Sequence, residues 1–126
     1  MTHTTDIQVR FNDTDALGHI NNSSFTHYAE IARIDFLKSS GARESGLILA
    51  HIELDFRKQV MFGDEVTVES QIEKLGNSSV TLVQRVLANN ELACDIRSVV
   101  VNFDYKANKP QRIADEARER LEPYLL

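Results

Sequence analysis

The chain has 126 residues, enough for one domain with a single core. With 42% apolar and 26% charged residues its composition is that of a folded globular protein and excludes a largely disordered one. Fourteen Lys and Arg against nineteen Asp and Glu give a net charge of −5 with no dense basic run, which argues against nucleic acid as a main partner.

The amino terminus, Met1 to Asp6, lacks a charged segment followed by an apolar core. No apolar run approaches the roughly 20 residues of a membrane span, so an unprocessed, soluble, cytoplasmic protein without a membrane partner is expected. Ile7, Val9 and Phe11 alternate with Gln8 and Arg10, the pattern of a short half-buried strand over Ile7 to Phe11. Asn12 to Gly18 then reads as a shaped loop, rich in short polar side chains that bond to nearby backbone and ending in a glycine.

From Asn22 the period changes. Phe25, Tyr28, Ala29, Ala32, Phe36 and Leu37 recur at steps of three and four and form one apolar stripe, predicting a helix to Ser40. Asn21 or Asn22 serves as N-cap and Gly41 as the stop. Ile48, Ala50, Ile52, Leu54 and Phe56 alternate with polar neighbours and predict a long strand whose apolar face covers that helix. After Gly63-Asp64 come Val66, Val68, Ser70 and Ile72. After Gly76-Asn77 come Val80, Leu82, Gln84 and Val86, and after Asn89-Asn90 a last long strand runs from Leu92 to Phe103.

Three consecutive hairpins are expected from this order. Arg112 to Leu125 spaces Ile113, Ala117, Leu121 and Leu125 at steps of four and predicts a peripheral helix interrupted by Pro123. The whole is an α+β domain, a curved antiparallel sheet packed over one long helix, with no internal repeat and no linker. Its long apolar stretches predict a homodimer or homotetramer. Cys94 stands alone, so neither a disulfide nor a Cys/His metal cluster is expected.

Phe11-Asn12-Asp13-Thr14-Asp15-Ala16-Leu17-Gly18-His19-Ile20-Asn21-Asn22 resembles the D-x-D-x-x-G-H-x-N-N signature of the hotdog-fold acyl-CoA thioesterases, the group related to 4-hydroxybenzoyl-CoA thioesterase. The resemblance continues in Phe25, Tyr28, Glu30, Ala32 and Arg33, in Phe62-Gly63-Asp64, in Gly76 to Ser79 and in Lys109-Pro110. Gln59 stands where that group commonly has a proline before its Gly-Asp turn.

The resemblance implies a hotdog fold, an antiparallel sheet wrapped around a central helix. It also implies hydrolysis of an acyl-CoA thioester to a free acid and CoA, without metal or other cofactor. By the same resemblance Asp15 is the catalytic carboxylate, acting as general base or as nucleophile. Physically, a carboxylate just ahead of a helix start lies near unpaired backbone N–H groups that can hold the thioester oxygen as it gains charge.

Substrate contacts are expected from His19, Ile20, Asn21, Asn22, Phe25, Tyr28, Arg57 and Lys58. Asn21 and Asn22 are helix caps first, and Phe25 and Tyr28 are core residues that can also line an acyl pocket. Arg57, Lys58, Arg85, Lys106 and Arg112 are the candidates for the CoA phosphates. Asp13 suits a structural role in the loop, Glu30 and Arg33 an ion pair on the helix surface or at an interface, and His51 an exposed position. Two other functions stay open at this level: an acyl-CoA-binding module without turnover, and a hydratase or dehydratase of acyl thioesters with His19 or His51 as base.

Overall fold

The computed structural model describes residues 1–39, 41 and 47–126. Its elements are β1 (His3–Ile7), α1 (Asn22–Ser39), β2 (Leu47–Phe56), β3 (Val66–Leu75), β4 (Ser79–Ala88), β5 (Glu91–Asp104), the short β6 (Lys109–Pro110) and α2 (Asp115–Leu121). Among the described residues the strands form one antiparallel sheet in the order β1-β3-β4-β5-β2, with β6 against the end of β5. Helix α1 lies against β1, β3 and β4, so the sheet wraps the helix as the hotdog arrangement requires. No helix among the described residues is long and apolar enough to cross a membrane.

The helix forms where its stripe demands. Phe25, Tyr28, Ala29, Ala32, Phe36 and Leu37 are all buried, each at 4% exposure or less. Asn21 is the N-cap: its Oδ1 accepts from Ser23 N–H at 3.1 Å and its carbonyl from Ser24 N–H at 2.9 Å. At the other end Gly41 has φ +80 and donates to the Lys38 carbonyl, the left-handed stop read from the sequence. Ser40, the expected last residue of the helix, lies outside the described residues.

Below the helix, Val66, Val68, Ser70 and Ile72 of β3 and Val80, Leu82, Gln84, Val86 and Ala88 of β4 face inward as their alternation predicts. The Asn89-Asn90 turn has φ 51 and 67, the two positive values of a tight primed turn, and joins Ala88 directly opposite Glu91.

Four expectations are corrected. The first strand is His3–Ile7, not Ile7 to Phe11. Thr5 and Ile7 are its inward residues, and the chain then tightens into a 3-10 turn at Phe11–Asp13 that leaves Phe11 76% exposed. The polar look of His3-Thr4-Thr5-Asp6 hid an edge strand, where hydroxyl and imidazole groups reach partners at the rim.

The second correction concerns the hairpins. β2 and β3 are not neighbours: β2 pairs with β5 at one edge and β3 sits between β1 and β4. The Gly63-Asp64 turn is real, with Asp64 Oδ2 accepting from Met61 N–H at 2.9 Å, yet it closes a crossing segment from Arg57 to Glu65. Among the described residues, only β3–β4 and β4–β5 of the expected hairpins form.

Third, the inward face of β2 changes halfway. A bulge falls between Leu49, opposite Val100, and His51, opposite Val99. The extra residue shifts the alternation by one, so Leu47 packs on the core in place of Ile48 while Ile52 and Leu54 keep their expected side. The expected carboxy-terminal helix is shorter as well. α2 ends at Leu121, 1% exposed, and a 3-10 turn at Glu122–Tyr124 holds Pro123.

Candidate active site

The loop before α1 is built on its two aspartates. Asp13 Oδ2 accepts from Arg10 N–H and from the Tyr28 hydroxyl, each at 2.8 Å, and its carbonyl accepts from Asn21 N–H and Ser24 Oγ. Asp13 thus ties the loop to the helix and fills the structural role expected of it. Burial, with Asp13 alongside, pushes the Tyr28 phenol well above the ordinary tyrosine range.

Asp15 is held differently. Its Oδ1 accepts from Leu17 N–H at 2.8 Å and His19 N–H at 3.1 Å, and its own N–H donates to the His19 carbonyl at 2.7 Å. Gly18, at φ +82, makes the reversal that brings these amides round one carboxylate oxygen. The other oxygen, Oδ2, stands 4.0 Å from His19 Nδ1.

The crossing segment closes the site from the other side. Ile20 N–H donates to the Val60 carbonyl at 2.7 Å, Phe62 N–H to the Gly18 carbonyl at 3.2 Å, and His19 bridges Met61. Val60, fully buried, anchors this crossing in the core. Arg57 and Lys58 both donate their backbone N–H to the Ala93 carbonyl, which fixes the segment as it leaves β2.

A cleft of about 490 Å³ results, lined by Asp15, His19, Ile20, Asn21, Asn22 and Phe25 on one wall and by Phe56, Arg57, Lys58 and Gln59 on the other. Asn22 N–H, at the first position of α1, makes no hydrogen bond among the described residues. It is the orphan donor that a helix start offers, with the positive end of the helix dipole behind it. A carboxylate oxygen without a hydrogen bond has the chemistry of a proton acceptor, and Asn22, whose amide is unpaired, lines the same cleft.

The structure brings Asp15, His19, Ile20, Asn21, Asn22, Phe25, Arg57 and Lys58 together and leaves Tyr28 out. That side chain is 2% exposed, with its hydroxyl on Asp13 behind the loop. Phe25 is equally buried but turns an edge to the cleft, 5.6 Å from the ring of Phe56. Phe56, read only as a strand residue, and Gln59, noted only for standing where the resembling group commonly has a proline, are further lining residues. The signal for Phe56 was its place at the end of β2, where the sheet stops covering it and leaves it 49% exposed.

Of the phosphate candidates, Arg57 and Lys58 stand at the cleft rim, where Arg57 Nε donates to Asp95 at 3.1 Å and Lys58 pairs with Glu91. Arg85 pairs with Glu69 on the opposite face of the sheet and Arg112 with Asp115 beside α2, and neither lines the cleft. Lys106 lies past the end of β5, also away from it. His51 faces solvent beside Glu53 and does not approach the loop. Among the described residues no group of three or more His, Cys, Asp or Glu is placed to hold a metal ion.

Residues 9–121 match the profile of the thioesterase-like superfamily. The long-chain acyl-CoA thioesterase FadM of Escherichia coli K12 is 29% identical over 94% of this chain and 96% of its own. A predicted thioesterase from Bacillus stearothermophilus superposes with a TM-score of 0.91 at 30% identity, covering 100% of this chain and 98% of that one. A thioesterase from Thermus thermophilus, solved with coenzyme A and Zn, gives 0.86 at 33% identity over 94% and 95%.

Proposed function

Since the chain belongs to the thioesterase-like superfamily and is a thioester hydrolase, we propose that it cleaves acyl-CoA to a free carboxylic acid and CoA at the Asp15 cleft. The observation that carries this reading is the asymmetry of Asp15: one oxygen is fixed by two backbone N–H groups and the other accepts no hydrogen bond among the described residues, on a cleft that the first residue of α1 also lines. A carboxylate so held is oriented, and its free oxygen can take a proton from a water attacking the thioester carbon. Asn22 N–H then receives the carbonyl oxygen as its charge develops, the C–S bond breaks and the CoA thiolate leaves.

Coenzyme A bound to the Thermus thermophilus thioesterase supports CoA as the carrier here, with Arg57 and Lys58 at the rim exchanging their surface carboxylates for phosphate. The acyl group enters past Phe25 and Phe56. A homodimer is part of this reading, because β2 has no partner strand on its outer edge among the described residues, and Ile31 and Ile34 of α1 and Leu49 of β2 itself are 50%, 38% and 38% exposed. The proposed setting is the cytoplasm, where a lone cysteine stays reduced.

The test is thiol release from acyl-CoAs of short, medium, long and aromatic acyl groups. Cys94 adds no background in the native protein: it is fully buried, and burial, reinforced by Asp95 and Asp55, pushes its thiol up to about 11. Asp15→Asn should lower kcat by at least about 100-fold, the range of a lost general base, with KM little changed. Full activity in that variant would refute the role of Asp15, and a covalent acyl adduct in quenched enzyme would make it a nucleophile.

A further inference from the structure

Between the solvent flank of α1 and the inner side of β2 lies a separate hollow of about 260 Å³, lined by Glu30, Arg33, Ile34, Leu47, Leu49 and Val100 among others. Arg33 is only 7% exposed, and its Nη1 has no hydrogen-bond partner among the described residues. A guanidinium nitrogen buried without an acceptor is unfavourable, so the arrangement in one chain is incomplete. Burial pushes the Arg33 guanidinium down from its ordinary value, and only the field of Glu30 opposes this.

Glu30, three residues earlier on the same flank, is exposed. Its carboxylate at the rim would repel a small anion seeking Arg33. A group of the same helix presented in reverse does not meet that repulsion. Under a two-fold axis every contact of residue i with j recurs as j with i, so a cation and an anion three residues apart on one helix match themselves. Ile31 and Ile34, half exposed on this flank, supply an apolar centre for two such helices.

We propose that this hollow is half of a self-complementary contact with a second copy of the chain, in which Arg33 pairs with Glu30 of the partner subunit and Glu30 with Arg33 of the partner subunit. The inference rests on the homodimer reading above and adds to it the residues that determine pairing. The pair lies on the flank of α1 next to β2, so docking of the helices and covering of the β2 edge belong to one interface.

The experiment is a charge exchange between chains, followed by sedimentation velocity. Glu30→Arg places two cations, and Arg33→Glu two anions, on this flank. Each variant alone should dimerise at least tenfold more weakly than the parent, while a 1:1 mixture should recover a dimer containing one chain of each kind. The like charges within each chain remain in the mixture, so recovery reports pairing between chains and not within one.

Unimpaired dimers of the single variants, or folded variants that stay monomeric when mixed, would overturn the proposal. A parent protein that is monomeric at all concentrations would instead defeat the homodimer reading beneath it. If a reversed charge prevents folding, judged by circular dichroism, Glu30→Gln and Arg33→Gln replace the pair. Weaker dimerisation of both is expected, and parental affinity in both would refute the pairing.

Discussion

Asp13 and Asp15 stand two residues apart in one loop and carry opposite tasks. Asp13 directs its acceptors to Arg10, Tyr28, Asn21 and Ser24 and so holds the loop to α1, while Asp15 keeps one oxygen free at the cleft. A third acid, Asp35, has a stability role that pH can expose. Thr5 donates to its Oδ2 at 2.6 Å and His3 Nε2 lies 2.9 Å from the same oxygen, together holding the carboxyl below the usual carboxylate range. A depressed folded value means the stabilisation is complete above the unfolded value and is lost as pH falls through the folded one. The parent should therefore lose urea stability on acidification below about pH 4 more steeply than Asp35→Asn, the ordinary carboxylate pKa being the upper bound of the window. Parallel decline of the two proteins would show that Asp35 contributes nothing.

At the scale of elements, the site is a loop and a crossing segment locked together. Gly18 joins them: its N–H donates to the Asp15 carbonyl at 3.2 Å and its carbonyl accepts from Phe62. A Cβ there would meet only Met61 Cε at 4.0 Å, so space is available and the cost of a side chain is the left-handed backbone, about 1–2 kcal/mol. Gly18→Ala should lower the melting temperature and reduce kcat more than it raises KM, because relaxation of φ swings the Leu17 and His19 amides away from Asp15. An alanine variant with parental melting and turnover would mean that the loop geometry does not set the carboxylate. The β2 bulge acts on the same scale: one extra residue before His51 turns Leu47 and Leu49 toward α1, while Phe56, beyond it, keeps the expected alternation and lines the cleft.

Across the whole molecule, two buried clusters share the length of the helix. One gathers Ile20, Phe25, Tyr28 and Val60 under the Asp15 loop, and the other Phe36, Leu37, Ile72 and Leu121 at the far end. The outer face of the sheet carries cross-strand ion pairs such as Arg85 with Glu69 and Arg97 with Glu73 and Glu53. Exposed pairs of this kind contribute only about 0–1 kcal/mol each, so the clusters and not the ladder hold the sheet. The β2 flank is the part that one chain leaves open. If a second copy covers it, the melting temperature should rise with protein concentration, as mass action demands of a dimer that dissociates on unfolding. A melting temperature independent of concentration over two decades would count against the dimer.

The helix, the inward faces of β3 and β4, and the loop that carries Asp15 were legible in the order of residues alone. These follow from local periodicity and from short-range turn chemistry, which need no knowledge of distant residues. Turn chemistry also pointed to a structural role for Asp13 in bonding loop N–H groups, while its separation from Asp15 came from the family resemblance. Only the tertiary structure decided that β2 leaves β3 for the far edge, because strand pairing depends on which edges meet and not on either strand alone. The same holds for the bulge, which interrupts an alternation that the residue types themselves continue, and for Phe56 and Gln59, which reach the cleft only once the crossing segment has docked. Tyr28 shows the converse. Its place on the apolar stripe was legible, but the bond from its hydroxyl to Asp13 depends on where that carboxylate stands in three dimensions.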